Sequence, residues 1–374
     1  MKEGYRLLGD FIRQVDVRNS EGKEENLLGL SVQKKFIPSI ANTVGTDFSK
    51  YKVVKKGQFT YIPDTSRRGD KIAIGLLEDY DEGLVSNVYT VFEIIDENVL
   101  CPEYLMLWFS RPEFDRYARF KSHGSVREIM DWEEMCKVEL PVPSIEKQRE
   151  IVKAYKTISD RIELKRRIND NLEAQVQAVF DNLFCSSEDV DCTLNDISNV
   201  NPIRSLSKNA PAKCFDMSCL PIKGCIPTGG EIKPYNGGVR FKNGDTIIAR
   251  ITPCLENGKA AYINILDEDE IAFGSTEYIV FSVKGNVPSE FYYFLIRNQK
   301  FVQYALQFMN GSSGRQRVSG EELAAFQMKK PSDDDLMRFA RVSKPVMQQM
   351  KEASLEIDRL QKLQDLLVSQ LSSR

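Results

Sequence analysis

The chain has 374 residues and a net charge of −3, and 42% of its residues are hydrophobic and 28% charged. This length and composition predict a soluble protein with two domains of ordinary size. No stretch approaches the ~20 consecutive apolar residues of a membrane span, and the charged N-terminus lacks a signal-peptide core. We therefore expect a cytoplasmic protein with no membrane partner.

The cysteine and histidine content argues against a metal centre. Eight cysteines are spread along the chain, and no two of them have the CxxC spacing. The sole histidine, His123, lies far in sequence from the only cysteine cluster, Cys214 to Cys225. Neither a zinc site nor a disulfide framework is expected. We predict no metal and no cofactor.

The first half of the chain is predicted to be β-rich and then helical. Short runs of β-branched and aromatic residues alternate with glycine and proline, a pattern typical of strands joined by turns. The predicted strands are Tyr51–Val54, Lys71–Leu77 and Val88–Ile95, and a helical stretch follows at Pro102–Lys121. A long helix then begins after Ser144, which we expect to be its N-cap.

The second half repeats this order of elements. Strands are predicted at Thr246–Ile251, Ala260–Ile265 and Glu277–Val283, and a helical stretch at Ser289–Met309. A second long helix follows Ser332, again the expected N-cap, and acidic residues occupy its first turn, where the helix dipole favours them.

The two halves also share residues at a constant distance. Arg127, the Glu133–Glu134 pair and Pro143 recur 188 positions later, and fainter matches upstream drift between 186 and 189. A repeat at half the chain length indicates a duplicated unit. The recurring residues are Arg315, Glu321–Glu322 and Pro331.

Both long helices carry apolar residues at alternating spacings of four and three, the heptad pattern of a coiled coil. Because each helix leaves one domain, pairing along their length requires them to run antiparallel. Residues whose numbers sum to 522 should then face one another. Examples are Ile151 with Leu371, Ile162 with Leu360 and Asn169 with Ala353.

These patterns together predict an α+β protein with a pseudo-twofold internal repeat. Two mixed, β-rich domains with helices would be joined by two long antiparallel coiled-coil helices. The predicted boundaries are 1–143 for the first domain, 144–184 for its helix, 185–331 for the second domain and 332–374 for its helix. Each helix of about 40 residues would be roughly 60 Å long.

Basic residues concentrate in one region of this acidic chain. Between Val32 and Lys71 lysines and arginines greatly outnumber carboxylates. A local basic face on an acidic protein is able to bind phosphate. For any single lysine, a solvated surface position is the alternative interpretation.

Enzyme motifs are missing from the sequence. There is no phosphate-binding loop, no GxGxxG, and no adjacent pair of prolines such as adenine methyltransferases carry. Nucleophilic catalysis would depend wholly on His123. Asp216, Glu231 and Lys233 have a nuclease-like spacing that chance also produces. The sequence therefore favours a binding protein over an enzyme.

Several stretches together resemble one family, the DNA-sequence specificity subunit of type I restriction-modification systems. Two of them are specific, namely the run Gly274–Tyr278 and the central segment Leu140–Ile151. One departure is Met328–Asp333, which keeps the proline of the central segment but loses its Glu-Lys-Gln-Arg run. The remaining similar stretches are Leu28–Ser31, Lys35–Ser39, Gly45–Asp47, Tyr51–Gly57, Gly124–Arg127 and Gly244–Lys259, which includes Arg250.

The resemblance implies a non-catalytic subunit with two target-recognition domains. Each domain would read one half of a bipartite site in double-stranded DNA, and the helix pair would fix the spacer between the halves. Two methyltransferase (modification) subunits would bind this subunit, and restriction subunits, which translocate and cleave DNA, would join them.

We expect DNA contacts from basic and hydroxyl side chains, since these reach both phosphates and base edges. For the repeated Arg127 and Arg315, a structural ion pair with Glu133 or Glu321 is the alternative. The expected residues are Lys34, Lys35, Arg67, Arg68, Lys71, Ser125 and Arg127 in the first copy, and Arg250, Thr252, Lys259, Ser312, Ser313, Arg315 and Arg317 in the second.

Two other functions remain open at this point. One is an interaction scaffold, two binding modules on a coiled coil with no nucleic-acid role. The other is a free-standing DNA enzyme, which the missing cofactor motifs disfavour. Salt-dependent DNA binding separates the scaffold from the specificity subunit, and methyl-donor binding by the isolated chain would identify the enzyme.

Overall fold

The structure is a computed structural model that describes residues 4–40, 45–65, 69, 71–122, 128–312 and 314–371. The chain divides into two compact units. The first comprises Met1–Asp160 together with Gln361–Arg374, and the second comprises Arg161–Leu360. The division therefore falls within both long helices, so each unit contains one part of each helix.

Within these described residues, the first half of the chain forms short strands, three short helices and one long helix. The strands are β1 (Tyr5–Leu7), β2 (Ile12–Val15), β3 (Leu28–Leu30), β4 (Phe36–Pro38), β5 (Lys52–Lys55), β6 (Phe59–Tyr61), β7 (Ile74–Leu76), β8 (Glu82–Val85), β9 (Thr90–Ile94) and β10 (Glu139–Pro141). The helices are α1 (Pro102–Phe109), α2 (Pro112–Lys121), α3 (Trp132–Cys136) and α4 (Ile145–Phe184), and 3-10 turns span Leu8–Asp10 and Phe48–Lys50.

The second half has a closely similar series. The strands are β11 (Cys192–Thr193), β12 (Ser198–Val200), β13 (Pro211–Phe215), β14 (Glu231–Pro234), β15 (Val239–Lys242), β16 (Thr246–Ala249), β17 (Ala260–Tyr262), β18 (Ile271–Gly274), β19 (Tyr278–Val283) and β20 (Gln327–Met328). The helices are α5 (Leu194–Ile197), α6 (Phe291–Arg297), α7 (Gln299–Gln307), α8 (Gly320–Ala324) and α9 (Asp333–Gln370).

Sheet topology repeats between the units. The first unit has an antiparallel sheet in the order β2-β9-β6-β7, and the second has its counterpart, β12-β19-β16-β17. Strand pairs β5–β8 and β15–β18 also correspond, and both are antiparallel. The hairpins β3–β4 and β13–β14 correspond in the same way. The repeat seen in the sequence is thus a repeat of strand pairings.

Aromatic side chains from strands and helices fill the core of each unit. In the first, Phe59 stacks on Phe92 with ring centroids 5.0 Å apart, and both are fully buried. In the second, Phe180 of α4 contacts Phe291 of α6 and Phe339 of α9, with centroids 5.0 and 5.5 Å away. Complete burial of a phenylalanine contributes about 1.5–3 kcal/mol, so Phe180 and Phe339 anchor the long helices in the second unit.

Helices α4 and α9 pair antiparallel, as predicted. In the second unit the Asn169 amide lies 3.5 Å from the Met350 carbonyl and 3.4 Å from the Ser354 hydroxyl, on either side of Ala353. In the first unit Gln364 donates to Ser159 over 2.6 Å. Residue numbers that face one another therefore sum close to 522, the register expected from the heptads.

The predicted helix starts are also confirmed. Helix α4 begins directly after Ser144, and the Ser332 hydroxyl accepts a hydrogen bond from the Asp335 amide at 3.1 Å, as an N-cap does.

Within the residues described, no helix is long and apolar enough to cross a membrane. The same residues contain no cluster of three or more His, Cys, Asp or Glu placed to hold a metal.

Candidate nucleic-acid interface

Two polar loops of the second unit join through their backbones. The Val318 amide donates to the Arg250 carbonyl over 3.0 Å, and the Thr252 amide donates to the Gln316 carbonyl over 3.0 Å. The loop after β16, which contains Arg250 and Thr252, thereby lies beside the loop that carries Arg315 and Arg317. The sequence had indicated these loops separately, and the fold brings them together. We call this contact the loop junction.

Arg317 is held in place by an acidic neighbour. Its guanidinium donates to the Glu277 carboxylate through Nε at 3.0 Å and through Nη2 at 2.8 Å. This hydrogen bonding, with the charge of Arg250 adding to it, lowers the pKa of Glu277 below its ordinary value. This bidentate pair, in which the fork of guanidinium N–H groups binds one carboxylate, fixes the direction of the side chain.

Arg315 lies two residues away and has a different environment. Its side chain is exposed, and its amide donates to the carbonyl of Ser312, also exposed, over 3.0 Å. Among the residues that the structure describes, no carboxylate, including that of Glu321, lies within ion-pair distance of it. Its guanidinium is therefore available to an external anion.

Arg250 and Thr252 lie deeper at the junction. The Nε of Arg250 is buried and has no hydrogen-bond acceptor within the described part of the chain. Thr252 is 9% exposed, and its hydroxyl accepts the amide hydrogen bond of Gln316 at 3.1 Å. Thr252 therefore joins the two loops instead of pointing to solvent.

Lys259 ends the turn that starts at Pro253. Its Nζ donates to the Met217 carbonyl over 2.7 Å. Arg297 braces the same turn, because it donates to the carbonyls of Gly258 at 2.5 Å and Gly224 at 3.2 Å. No motif marks Arg297, and sequence reasoning missed it.

Arg297 is itself tied to the long helix. Its Nε donates to the Tyr293 hydroxyl over 3.1 Å, and this hydroxyl donates to Glu173 of α4 over 2.5 Å. Tyr293 is fully buried, which raises the pKa of its hydroxyl well above the ordinary value. A continuous series of hydrogen bonds thus links α4 to the turn that bears Lys259.

The first unit contains an equivalent loop junction. The Thr65 amide donates to the Glu128 carbonyl over 3.0 Å, and the Met130 amide donates to the Pro63 carbonyl over 3.0 Å. Thr65 is fully buried, and its hydroxyl is hydrogen-bonded to Ser122. The predicted contacts Arg67, Arg68, Ser125 and Arg127, like Ser313 in the second copy, lie outside the described residues.

Lys34 points into the protein. It is 8% exposed, its ammonium pairs with Asp115 at 2.9 Å and donates to the Phe109 carbonyl, and burial lowers the pKa of the ammonium. Asp115 also accepts from the Ile72 amide at 3.3 Å. One carboxylate therefore holds the two segments that carry Lys35 and Lys71, whose side chains are exposed.

Comparison with known proteins finds similarity to specificity subunits of type I restriction enzymes. Residues 11–174 match the family described as type I restriction modification DNA specificity domain. The HindI specificity subunit of Haemophilus influenzae is 26% identical over 190 residues, which cover 49% of this chain and 41% of that protein. The EcoAI specificity subunit of Escherichia coli is 33% identical over 132 residues, 34% of this chain and 22% of that protein. The chain thus spans less than half the length of these relatives.

A solved structure shows the same fold over nearly the whole chain. The type I restriction-modification S subunit of M. genitalium has a TM-score of 0.59, with 98% of this chain and 95% of that chain covered. Sequence identity is 13%, so this likeness concerns the fold. The resemblance to specificity subunits inferred from sequence motifs is confirmed.

Proposed function

We propose that this protein recognises the DNA target of a type I restriction-modification complex, because residues 11–174 match the type I restriction modification DNA specificity domain and the chain shares its fold with a specificity subunit. Each unit would read one half of a bipartite site in double-stranded DNA. The isolated chain would have no catalytic activity, since methylation and cleavage would belong to partner subunits.

The duplicated loop junction supports this proposal most directly. Thr65 in the first unit and Thr252 in the second make equivalent backbone hydrogen bonds, and in both copies basic residues occur in or beside the joined loops. A protein with two copies of one basic loop structure suits a target with two half-sites. Direct readout requires such side chains at groove depth, with phosphate contacts fixing their register.

The geometry refines the proposed DNA contacts. Arg315 and Ser312 in the second unit, and Lys35 and Lys71 in the first, are exposed. Lys34 and Thr252 serve the protein's own structure, since their polar groups are buried and bonded internally. Arg250, Arg317 and Lys259 would also contact DNA. Hydrogen bonds to neighbouring groups hold the backbone of Arg250 and the side chains of Arg317 and Lys259 in place. Five residues outside the described part complete the proposal: Arg67, Arg68, Ser125, Arg127 and Ser313.

We further propose that α4 and α9 set the spacer between half-sites. The helices pair antiparallel in each unit and belong to both units, so a change in their length would act on the two units together. Two methyltransferase subunits would associate with this protein and restriction subunits would join them. These partners follow from the family and remain proposals for this chain.

DNA affinity measured across a salt series tests the proposal. The purified chain, alone and with its methyltransferase, should bind double-stranded DNA with an affinity that falls steeply with salt, because binding to phosphates releases counterions. Methylation mapping of the host genome with and without the gene should reveal a two-part site. Binding that does not depend on salt, with an unchanged methylome, would favour the scaffold alternative.

A further inference from the structure

A cavity of about 420 Å³ lies in the first unit beside α1 and α2. It is separate from the loop junction and shares no residue with the proposed DNA contacts. Its walls are aromatic and its charged groups include both signs. The lining includes Trp108, Arg111, Glu113, Phe114 and Tyr117.

Arg111 is the unusual member of this lining. The residue is only 4% exposed, and its Nε is buried without a hydrogen bond. Its ionic contact with Glu113, at 3.7 Å, is too long for a hydrogen bond. Within the described part of the chain no group accepts a hydrogen bond from its guanidinium. Buried guanidinium groups are ordinarily paired and hydrogen-bonded, because desolvation without compensation is costly.

The aromatic wall lies against this guanidinium. Its central carbon lies 3.7 Å from the centroid of the Trp108 ring, a close cation–π contact. Burial lowers the pKa of Arg111, although the group stays protonated at neutral pH. A planar donor fork, held against an indole at a cavity wall, suits a planar two-oxygen acceptor.

The second copy shows what normally satisfies this position. Arg111 is the N-cap of α2, and Asn298 is the N-cap of the corresponding helix α7. The Asn298 amide donates to the carboxylate of Asp181 over 2.9 Å, and its oxygen accepts from Lys300. One repeat offset after Asp181, the chain has Ser369 in place of an acid. The first copy therefore has the donor at this position without a carboxylate that is hydrogen-bonded to it.

The other charges limit what kind of anion fits. Lys121 and Lys137 lie 3.9 and 2.7 Å from Glu134, whose single negative charge offsets one of these two lysines. Glu113 and Glu139 are also part of the lining and disfavour a doubly charged ligand such as phosphate. With Arg111 the basic and acidic groups around the cavity balance, so no excess positive charge is present for a second negative charge on the ligand. A singly charged anion held by Arg111 therefore fits best, and the aromatic walls favour an apolar body attached to it.

We propose that this cavity binds a carboxylate carried on an apolar or aromatic group. The Arg111 fork would hold the carboxylate, while Trp108, Phe114 and Tyr117 would contact the apolar part. Such a ligand occurs as a free aromatic acid or as the C-terminal residue of a peptide chain. The site does not depend on the DNA function proposed above.

Tryptophan fluorescence of the full chain tests the site. Replacing Trp132 with phenylalanine leaves Trp108 as the only tryptophan, since the sequence has two. Benzoate should change Trp108 emission saturably, whereas benzamide, its uncharged analogue, and inorganic phosphate should bind at least about tenfold more weakly. Equal binding of benzoate and benzamide would show an apolar cavity without a carboxylate site. Equal or tighter binding of phosphate, or no saturable response to benzoate, would also overturn the proposal.

Variants of Arg111 test whether its guanidinium binds the carboxylate. In the same background, Arg111→Gln should weaken benzoate binding at least about tenfold, and Arg111→Lys should retain part of it, because a lysine keeps the charge and loses the fork. Lys153→Gln, at an exposed lysine outside the cavity, is the matched control and should bind benzoate normally. Undiminished binding in Arg111→Gln, with an intact melting transition, would contradict the assignment. If Arg111→Gln fails to fold, the benzoate affinity of Arg111→Lys and the comparison of benzoate, benzamide and phosphate test the proposal instead.

The source of the carboxylate follows from a second pair of probes. N-acetylphenylalanine presents the C-terminal carboxylate of a peptide, and its amide is the uncharged control. Binding of the acid more tightly than benzoate would assign the cavity to a chain terminus. Weaker binding than benzoate would assign it to a free aromatic acid.

Discussion

Arg317 donates to the Glu277 carboxylate at 2.8 and 3.0 Å, whereas the exposed Arg315 two residues earlier has no acidic partner among the residues described. The two arginines share a loop and a charge, yet only Arg317 contributes to the internal structure of the loop junction. Their replacement therefore separates an effect on folding from an effect on DNA binding.

Arg315→Ala should leave the melting temperature unchanged and weaken DNA binding by about 1–3 kcal/mol. Arg317→Ala should lower both, because it removes the fork to Glu277 and leaves that carboxylate unpaired. Thermal melting and DNA affinity measured on the same preparations of both variants provide the check. A drop in melting temperature for Arg315→Ala would remove this residue from the proposed DNA contacts.

The Glu277–Arg317 pair should make stability depend on pH in the acid range. The pKa of Glu277 is lowered in the folded protein from its ordinary value of 4.5. The stabilisation is then complete above that value and is lost as the pH falls through the folded-state pKa. Comparing melting temperatures of the wild type and Glu277→Gln between pH 7 and pH 3 tests this. The difference in melting temperature between the two proteins should be greatest near neutral pH and should shrink on acidification. A difference that stays constant with pH would show that the Glu277–Arg317 pair does not cause it.

Arg297→Met should loosen the turn that carries Lys259. The change removes hydrogen bonds to the carbonyls of Gly258 and Gly224 and to the Tyr293 hydroxyl, at a cost of about 1–3 kcal/mol. Hydrogen exchange of residues 253–259 should accelerate, and DNA affinity should fall with it. Arg338→Met, in an exposed part of α9, is the control. Unchanged exchange in the turn would show that Arg297 does not brace it.

Asn169→Leu should stabilise the helix pair. The buried Asn169 makes only long hydrogen bonds, of 3.4 and 3.5 Å, and its Oδ1 has no partner among the described residues. An apolar residue there should raise the free energy of unfolding by about 1 kcal/mol while weakening the preference for one register. Urea unfolding measures the first effect. A loss of stability would show that the asparagine is better satisfied than this geometry indicates.

A heptad inserted into each long helix should lengthen the DNA spacer. Seven residues add about 10.5 Å to a helix, close to three base pairs at about 3.4 Å each. Insertions after Lys165 in α4 and before Glu356 in α9 keep the heptad pattern, and these two residues are ion-paired at 2.6 Å in the present register. Methylome sequencing should then show unchanged half-sites with a longer gap. An altered half-site with the original gap would contradict the ruler role.

Local sequence patterns predicted the regular elements well. Thr246–Ile251 contains β16, Val88–Ile95 contains β9, and the heptads predicted both long helices and their register. These features depend on periodicity and capping within one segment. The predicted helical stretch Pro102–Lys121 is divided in two by Pro112, which starts α2. Proline at a first helical turn explains the division.

Contacts between distant segments were not predictable in this way. The sequence indicated Arg250 and Arg317 as separate candidates, but their proximity arises from backbone hydrogen bonds across more than 60 positions. Lys34 looked like a surface cation, and only the fold places Asp115 and the Phe109 carbonyl beside it. Arg297 and Arg111 belong to no motif, so their surroundings alone identify them.

The composition of the first unit has a consequence for synthesis on the ribosome. Leu371 belongs to the core of that unit, where Ile151 and Tyr155 pack against the same cluster. Residues 361–371 are translated only after the whole second unit. A nascent chain therefore carries an incomplete first unit, with apolar surface of α4 uncovered, while its second unit is being made. A chaperone that binds apolar surfaces would meet this protein during that interval, and premature termination before residue 361 would leave the surface permanently exposed.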